Sequence, residues 1–465
     1  MRWSGTHGDC TRFGPARCGT PNAERRTSNA WEQCSMSQID LEPVKGTRDF
    51  YPDDMRFRTW LFGHMRDIAR SMGYEEYDAC VLEHADLYIR KAGDEITRQL
   101  YDFTDKGDRH LSLRPELTPS LARMVMAKGA ALALPVRWFA IPQCFRYEET
   151  QRGRKREHFQ WNMDAVGIAS VAAEAELMSA QAELCRRVGL KLDGEQSEVV
   201  WRVSNRQVLG HFLAGMGIDG ELFAAVCVLI DKRGKISDAE LSIELGKIGV
   251  DEAKAARILA LLDVRGLDQL ATQVPTDNPG LVALRELMDF AASLGIDHLI
   301  RIDLSVIRGL SYYTGTVWEV FASAGTFRRA IAGGGRYDRL CEQLGGTAIP
   351  MVGFGFGDIP IAEVLTELGR MPKLGRGFDD VVYPMGAKQF TVANRIARHL
   401  RAQGRSVTVD YSLRRFKHVV QRAEDDGAAR LFILGGDEVA KGVCKVRLLG
   451  AERVENEVQL AELGA

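Results

Sequence analysis

Two runs that alternate apolar with polar residues, RWFAIPQCFRYE (137–148) and EHFQWNMDAVG (157–167), flank a loop crowded with arginine. A period of two sends successive side chains to opposite faces of a strand, so the pair reads as one long antiparallel hairpin. This constrains the chain to a sheet on which Arg146 and Glu148 share a face, as do His158, Gln160, Asn162 and Asp164. A water-facing sheet alternates in the same way. Three further features argue that the polar surface here is a site.

The turn EETQRGRKRE sets Arg152, Arg154, Lys155 and Arg156 around Gly153, a density of guanidinium suited to bidentate contacts with phosphate. RPELTPS (114–120) puts Glu116 and Thr118 where a strand gives way to a helix, a place where threonine is ordinarily an N-cap. RGLSYYTG (308–315), AGGGRYD (332–338) and VGFGFG (352–357) follow in one region, with tyrosine and arginine on glycine-softened backbone. Glycine inside strand-like sequence marks a close approach. Neither glycine run joins a strand to a helix in a parallel unit, which argues against a dinucleotide fold or a P-loop.

Around these stretches, helical spacing covers 53–72, 118–128, 172–188 and 359–368, and a second hairpin turns at Lys106-Gly107-Asp108. Residues 206–294 are mostly helical in pattern, and from 378 strand and helix alternate as in a small parallel α/β domain. A chain of 465 residues is expected to hold two or three domains. The boundaries read as a disordered extension at 1–36, a core built from 37–205 and 295–372, a helical insertion at 206–294 and an α/β domain at 378–465.

No run of about 18 apolar residues crosses a bilayer, so no membrane is expected. Nine scattered cysteines, with no CxxC pair and no zinc spacing, fit a reducing compartment and no structural metal, hence a cytoplasmic protein. Met36 directly precedes the first patterned sequence, so residues 1–35 fit an upstream start as well as an organelle-targeting peptide, given Arg2, Arg12, Arg17, Arg25 and Arg26. The net charge of -2 neither demands nor excludes nucleic acid.

KGTRDF, LRPELT, CFRYEETQRGRKREHFQ, IRGLSYYTG and AGGGRYD closely resemble, in order and spacing, the signatures of histidyl-tRNA synthetase, a class II aminoacyl-tRNA synthetase family. The resemblance runs from about Lys45 onward. It implies an α+β fold: an antiparallel sheet flanked by helices, a helical insertion and a C-terminal α/β anticodon-binding domain. It implies a homodimer that joins L-histidine to tRNA(His) with ATP and Mg2+. Arg146 and Arg308 would grip the α-phosphate from two sides and meet the amino-acid carboxylate, while Glu148, Arg154 and His158 would serve the rest of ATP. Asp164 and Tyr313 would face the imidazole nitrogens, Tyr312 would line the pocket, and Glu116, Thr118 and Gln160 would hold the α-amino group. Tyr337 either supports the pocket or simply packs.

The sequence departs from the family at GFGFGDIP, where Ile359 and Pro360 stand in place of a Glu-Arg pair whose arginine meets the γ-phosphate. Arg154 or Arg336 is expected to compensate. Cys80 replaces a first-motif proline associated with the dimer interface. A regulatory subunit of ATP phosphoribosyltransferase is the alternative, a non-catalytic relative that lacks the anticodon domain.

Overall fold

The long hairpin forms, and it lies inside a nine-stranded sheet. The computed structural model describes residues 40–89, 97–233, 236–307, 312–450 and 454–465, and the elements named below lie in the unit Val44–Ala465. The expectation for residues 1–36 falls outside the described residues, apart from which the chain runs through β1 (Glu75–Glu76), β2 (Leu82–His84), β3 (Tyr101–Thr104), β4 (His110–Leu113), β5 (Val136–Ala140), β6 (Gln143–Phe145), β7 (Glu157–Val166), β8 (Val199–Asn205), β9 (Ile300–Ile302), β10 (Thr316–Ala322), β11 (Ala330–Arg336) and β12 (Met351–Gly357). The large sheet has the order β1-β5-β7-β12-β11-β10-β8-β9, with β6 also on β7, while β2-β4-β3 make a small sheet. Its interior pairs are antiparallel as expected, but the edge pairs β1·β5 and β8·β9 are parallel.

Two details of the hairpin differ from the sequence reading. Its first arm is split into β5 and β6 at Ile141-Pro142, because proline offers no N–H to the ladder. The arm also ends at Phe145: the Glu148 N–H donates to the Arg146 carbonyl at 2.8 Å, so both residues sit on turning backbone beyond the strand.

One face of the sheet is apolar. Trp161 and Met163 of β7, Phe354 and Phe356 of β12 and Trp318 of β10 are buried with Leu61, Met65, Leu177 and Leu284. Those four come from the helices Pro52–Ser71, Ala172–Arg187 and Pro279–Ser293, which cover that face. The opposite face follows from the register. Asp164 pairs with Gly353, Gly353 with Gly335, and Gly335 with Val317; the next row is Asn162, Gly355, Gly333 and Glu319. Polar side chains thus stand beside a floor of glycine.

Space explains the floor. A Cβ on Gly353 would lie 1.9 Å from Asp164 Oδ1, one on Gly355 1.8 Å from Gln160 Nε2, and one on Gly335 2.6 Å from the Tyr313 ring. Only glycine lets those side chains lie flat against the sheet.

Helices Arg206–Ala214, Gly220–Ile230, Asp238–Lys247, Glu252–Leu262 and Leu267–Ala271 precede Pro279–Ser293. Beyond these come β13 (Asp380–Pro384), β14 (Val407–Val409), β15 (Arg430–Leu434), β16 (Val443–Leu448) and β17 (Glu455–Gln459), ordered β14-β13-β15-β16-β17. The first three are parallel, but β16 and β17 add an antiparallel pair that the expected parallel domain lacked. Four of the five β17 residues are exposed, so it offers no apolar face for alternation to reveal.

Gly334, on the apolar face, has Trp318 where a Cβ would sit, at 2.4 Å, with the Gly353 carbonyl at 2.6 Å. Gly334→Ala is expected to cost about 1–3 kcal/mol of stability. Gly63, inside the helix Pro52–Ser71, has open space for a methyl group, with nothing within 4 Å of where its Cβ would stand, and is expected to gain about 0.5–1 kcal/mol as alanine. Denaturant unfolding of the two variants checks the pair; equal effects would contradict the packing described.

Candidate active site

The strand-to-helix junction after β4 is held by Arg114, which is 2% exposed and donates to the Gln143 carbonyl at 2.9 Å, to Asp78 at 2.6 Å and to the Ala79 carbonyl at 2.7 Å. This anchor, to which the sequence gives no clue, fixes the segment carrying Glu116. Thr118 is not the N-cap: Leu117 takes that position, and Thr118 begins the helix Thr118–Lys128. Its hydroxyl is therefore not needed to cap the helix. Burial and then the Glu116 charge push the Tyr312 phenol well up, and Thr118 beside it offsets part of that rise.

Three tyrosines wall the pocket. Ring centroids are 5.0 Å apart for Tyr312–Tyr313, 5.9 Å for Tyr312–Tyr337 and 6.4 Å for Tyr313–Tyr337. The Tyr312 hydroxyl donates to Glu116 Oε2 at 2.9 Å, and the Tyr337 hydroxyl donates to Asp164 Oδ1. Tyr337 therefore does more than pack. Burial pushes the Asp164 carboxyl up to about 7, Tyr337 pulls it back in part, and the Glu116 charge raises it further. The Tyr313 carbonyl accepts from Arg206 at 3.2 Å, which ties the pocket wall to the start of the helix Arg206–Ala214.

Gln160 and Asn162 occupy the same face between this pocket and the basic loop. The buried atoms Gln160 Oε1 and Asn162 Oδ1 have no hydrogen-bond partner among the described residues. Buried polar atoms are rarely left unpaired, so both are poised for a ligand. The strand period puts Asn162 on this face without giving it a role; its position between two assigned residues is the signal that sequence offers.

At the other end, the Arg146 side chain donates to the Pro115 carbonyl at 2.9 Å, and its backbone N–H to the Arg156 carbonyl at 2.8 Å. Glu148 is buried, and Arg154 Nε lies 2.7 Å from its Oε2. His158, a partly exposed residue, has an imidazole pushed down to about 3 by burial and then by Arg146, Arg48 and Arg154. It is neutral at working pH and so suited to stacking. Arg308 lies outside the described residues.

Of the two cations expected to replace the missing arginine, Arg336 is on the wrong face. One residue past Gly335, it turns to the helical side and donates to Glu174 at 2.7 and 2.6 Å, with Asp338 at 3.2 Å. Pro360 itself lies in the first turn of the helix Asp358–Glu367. Among the described residues no group of three or more His, Cys, Asp and Glu side chains is placed to hold a metal ion, and no helix among them is long and apolar enough to cross a membrane.

A family profile described as histidyl-tRNA synthetase matches residues 46–357, and one described as an anticodon binding domain matches 380–465. Together they define the class, an aminoacyl-tRNA synthetase. The chain is 44% identical over 426 residues to the chloroplastic/mitochondrial histidine–tRNA ligase of Arabidopsis thaliana, covering 92% of this chain and 86% of that one. With the histidine–tRNA ligase of Opitutus terrae it shares 38% identity over 433 residues, 91% and 97% of the two chains. The chain belongs to the histidyl-tRNA synthetase family. Its fold is similar to a histidyl-tRNA synthetase structure from Nostoc sp. PCC 7120, with a TM-score of 0.77, 23% identity and coverage of 92% and 99%. A Bacillus halodurans structure titled as an ATP phosphoribosyltransferase regulatory subunit/histidyl-tRNA synthetase aligns at a TM-score of 0.69 with 19% identity, covering 85% and 99%, which speaks for the fold alone. The regulatory-subunit reading is not better supported, since residues 380–465 match an anticodon-binding domain.

Because Asp164 holds its proton up to about pH 7 when folded, against about 4 for an ordinary carboxyl, the stability it contributes is full below about pH 4 and is lost as pH rises through 7. The melting temperature of the wild type relative to Asp164→Asn is expected to fall across that window. A difference independent of pH would contradict the assigned environment.

Proposed function

We propose that the chain is a histidine–tRNA ligase that condenses L-histidine with ATP to histidyl-adenylate and pyrophosphate, then transfers histidine to the 3′-terminal adenosine of tRNA(His). The observation that carries this reading is the pairing of Asp164 with Tyr337 and of Glu116 with Tyr312 over the glycine floor, next to Arg146. A carboxylate beside phenols suits an imidazole, which needs partners for two ring nitrogens.

Asp164 and Tyr313 would hold the ring, with Tyr312 and Tyr337 positioning the carboxylates. Glu116, Thr118 and Gln160 would take the α-amino group. Arg146 would grip the α-phosphate as the carboxylate attacks, a fixed guanidinium where charge develops. Arg308 would act from the opposite side, a role that rests on resemblance. Glu148 and His158 would hold the adenine, and Arg154 a phosphate once it leaves Glu148. Mg2+ would arrive on the ATP phosphates.

Residues 37–205 and 295–372 would carry the chemistry, with 206–294 as an insertion and 378–465 as the anticodon-binding part. Arg414, Arg415 and Lys417, all exposed at or near the start of the helix Phe416–Asp425, would meet tRNA phosphates. A homodimer and a cytoplasmic location complete the proposal, and import assays on residues 1–36 test the organelle alternative.

Pyrophosphate exchange measured with each of the twenty amino acids is expected to respond to histidine only; exchange with proline or threonine, or none, overturns the reading. Arg146→Ala is expected to lower exchange by about 10²–10³-fold. Asp164→Ala is expected chiefly to raise the histidine requirement, and an unchanged requirement removes it from the pocket.

A further inference from the structure

The positive charge around the basic loop is answered unevenly. Arg152 donates to Glu363 at 3.1 Å and to Glu367 at 2.8 Å. Arg154 faces Glu148 at 2.7 Å, and Arg48 is shared by Glu157 at 3.2 Å and Asp358 at 3.0 Å. Arg156 lies 3.9 Å from the centroid of the Tyr147 ring and donates to the Glu148 carbonyl at 3.1 Å. Arg336 is bound to Glu174 on the other face. Each of these guanidiniums already has an anion or a ring.

Arg329 is different. It directly precedes β11, where a bulge at Val320/Phe321 interrupts the ladder with β10 and re-aims the strand end. The basic loop is docked on this corner: at Gly153, with φ +74°, a Cβ would stand 2.6 Å from the Phe327 ring and 3.6 Å from Arg329 Cδ. Arg152 lies over the same Phe327 ring at 5.7 Å. The Arg329 guanidinium donates to the neutral Gln151 amide oxygen, and among the described residues no carboxylate comes within salt-bridge distance of it. Partial burial and then the neighbouring Arg154 lower its proton affinity, with Glu148 offsetting part of the effect. A partly buried cation in the field of a second cation is a configuration that a bound anion relieves.

We propose that Arg329 grips the terminal phosphate of ATP, in place of the arginine that the family motif carries where Pro360 stands. The proposal rests on the ligase reading, because that reaction supplies a triphosphate at this end of the cleft. A planar guanidinium held through Gln151 presents its remaining N–H donors as a fork to phosphate oxygens.

The test compares binding of Mg-ATP and Mg-ADP to the full chain by calorimetry for the wild type, Arg329→Ala and Arg329→Gln. Glutamine keeps a polar side chain at the corner should alanine unfold it. The wild type is expected to prefer ATP, and both variants are expected to lose about 10–100-fold in ATP affinity, the size of a charge-assisted contact, with ADP affinity and the histidine KM unchanged. Arg329→Lys is expected to recover part of the loss. Variants that still prefer ATP over ADP, or a wild type with no such preference, overturn the role of Arg329. Histidine-dependent pyrophosphate exchange by the wild type, measured alongside, tests the ligase reading separately.

Discussion

The close approach of side chains to backbone over Gly335, Gly353 and Gly355 is the constraint on which the rest depends. Any Cβ there would fall within 3 Å of Tyr313, Asp164 or Gln160. The glycines leave a depression on a surface that larger side chains would fill, and the neighbouring strands line it with acids and phenols. The opposite face of the same strands is packed with Trp161, Trp318, Phe354 and Phe356, which hold the sheet against its helices. Strand alternation therefore keeps a close-packed core and a polar cleft one residue apart.

Electrostatics vary along the cleft. Glu116 and Asp164 make one end acidic, and burial leaves Asp164 near the midpoint of its titration at neutral pH. Arg146, Arg48 and Arg154 make the other end basic and, after burial, add to the suppression of His158 protonation. An amino acid with an ionisable ring and a triphosphate match these two ends, with the reacting carboxylate and α-phosphate between them.

Much of this is legible in the sequence because the period of two is a strong signal where one strand face is buried. The alignment of Gln160, Asn162 and Asp164 comes from that period alone, and the glycine runs announce close approach. Other features are hidden. Arg336 reads as a site cation because the motif places it beside Tyr337, but parity sends it to Glu174 on the reverse face. Ile141-Pro142 breaks an arm that looks continuous, since a missing N–H does not disturb hydropathy. The exposed strand β17 carries no apolar stripe to find. Arg114 and Arg329 escape notice because their roles come from contacts between segments far apart in sequence.

The most direct test of the account is a crystal structure of the protein with L-histidine bound. The account predicts the imidazole within hydrogen-bonding distance of the Asp164 carboxyl, over Gly353, with the α-amino group turned toward Glu116. Histidine bound away from that depression, or an imidazole held by neither Asp164 nor a pocket tyrosine, would contradict it.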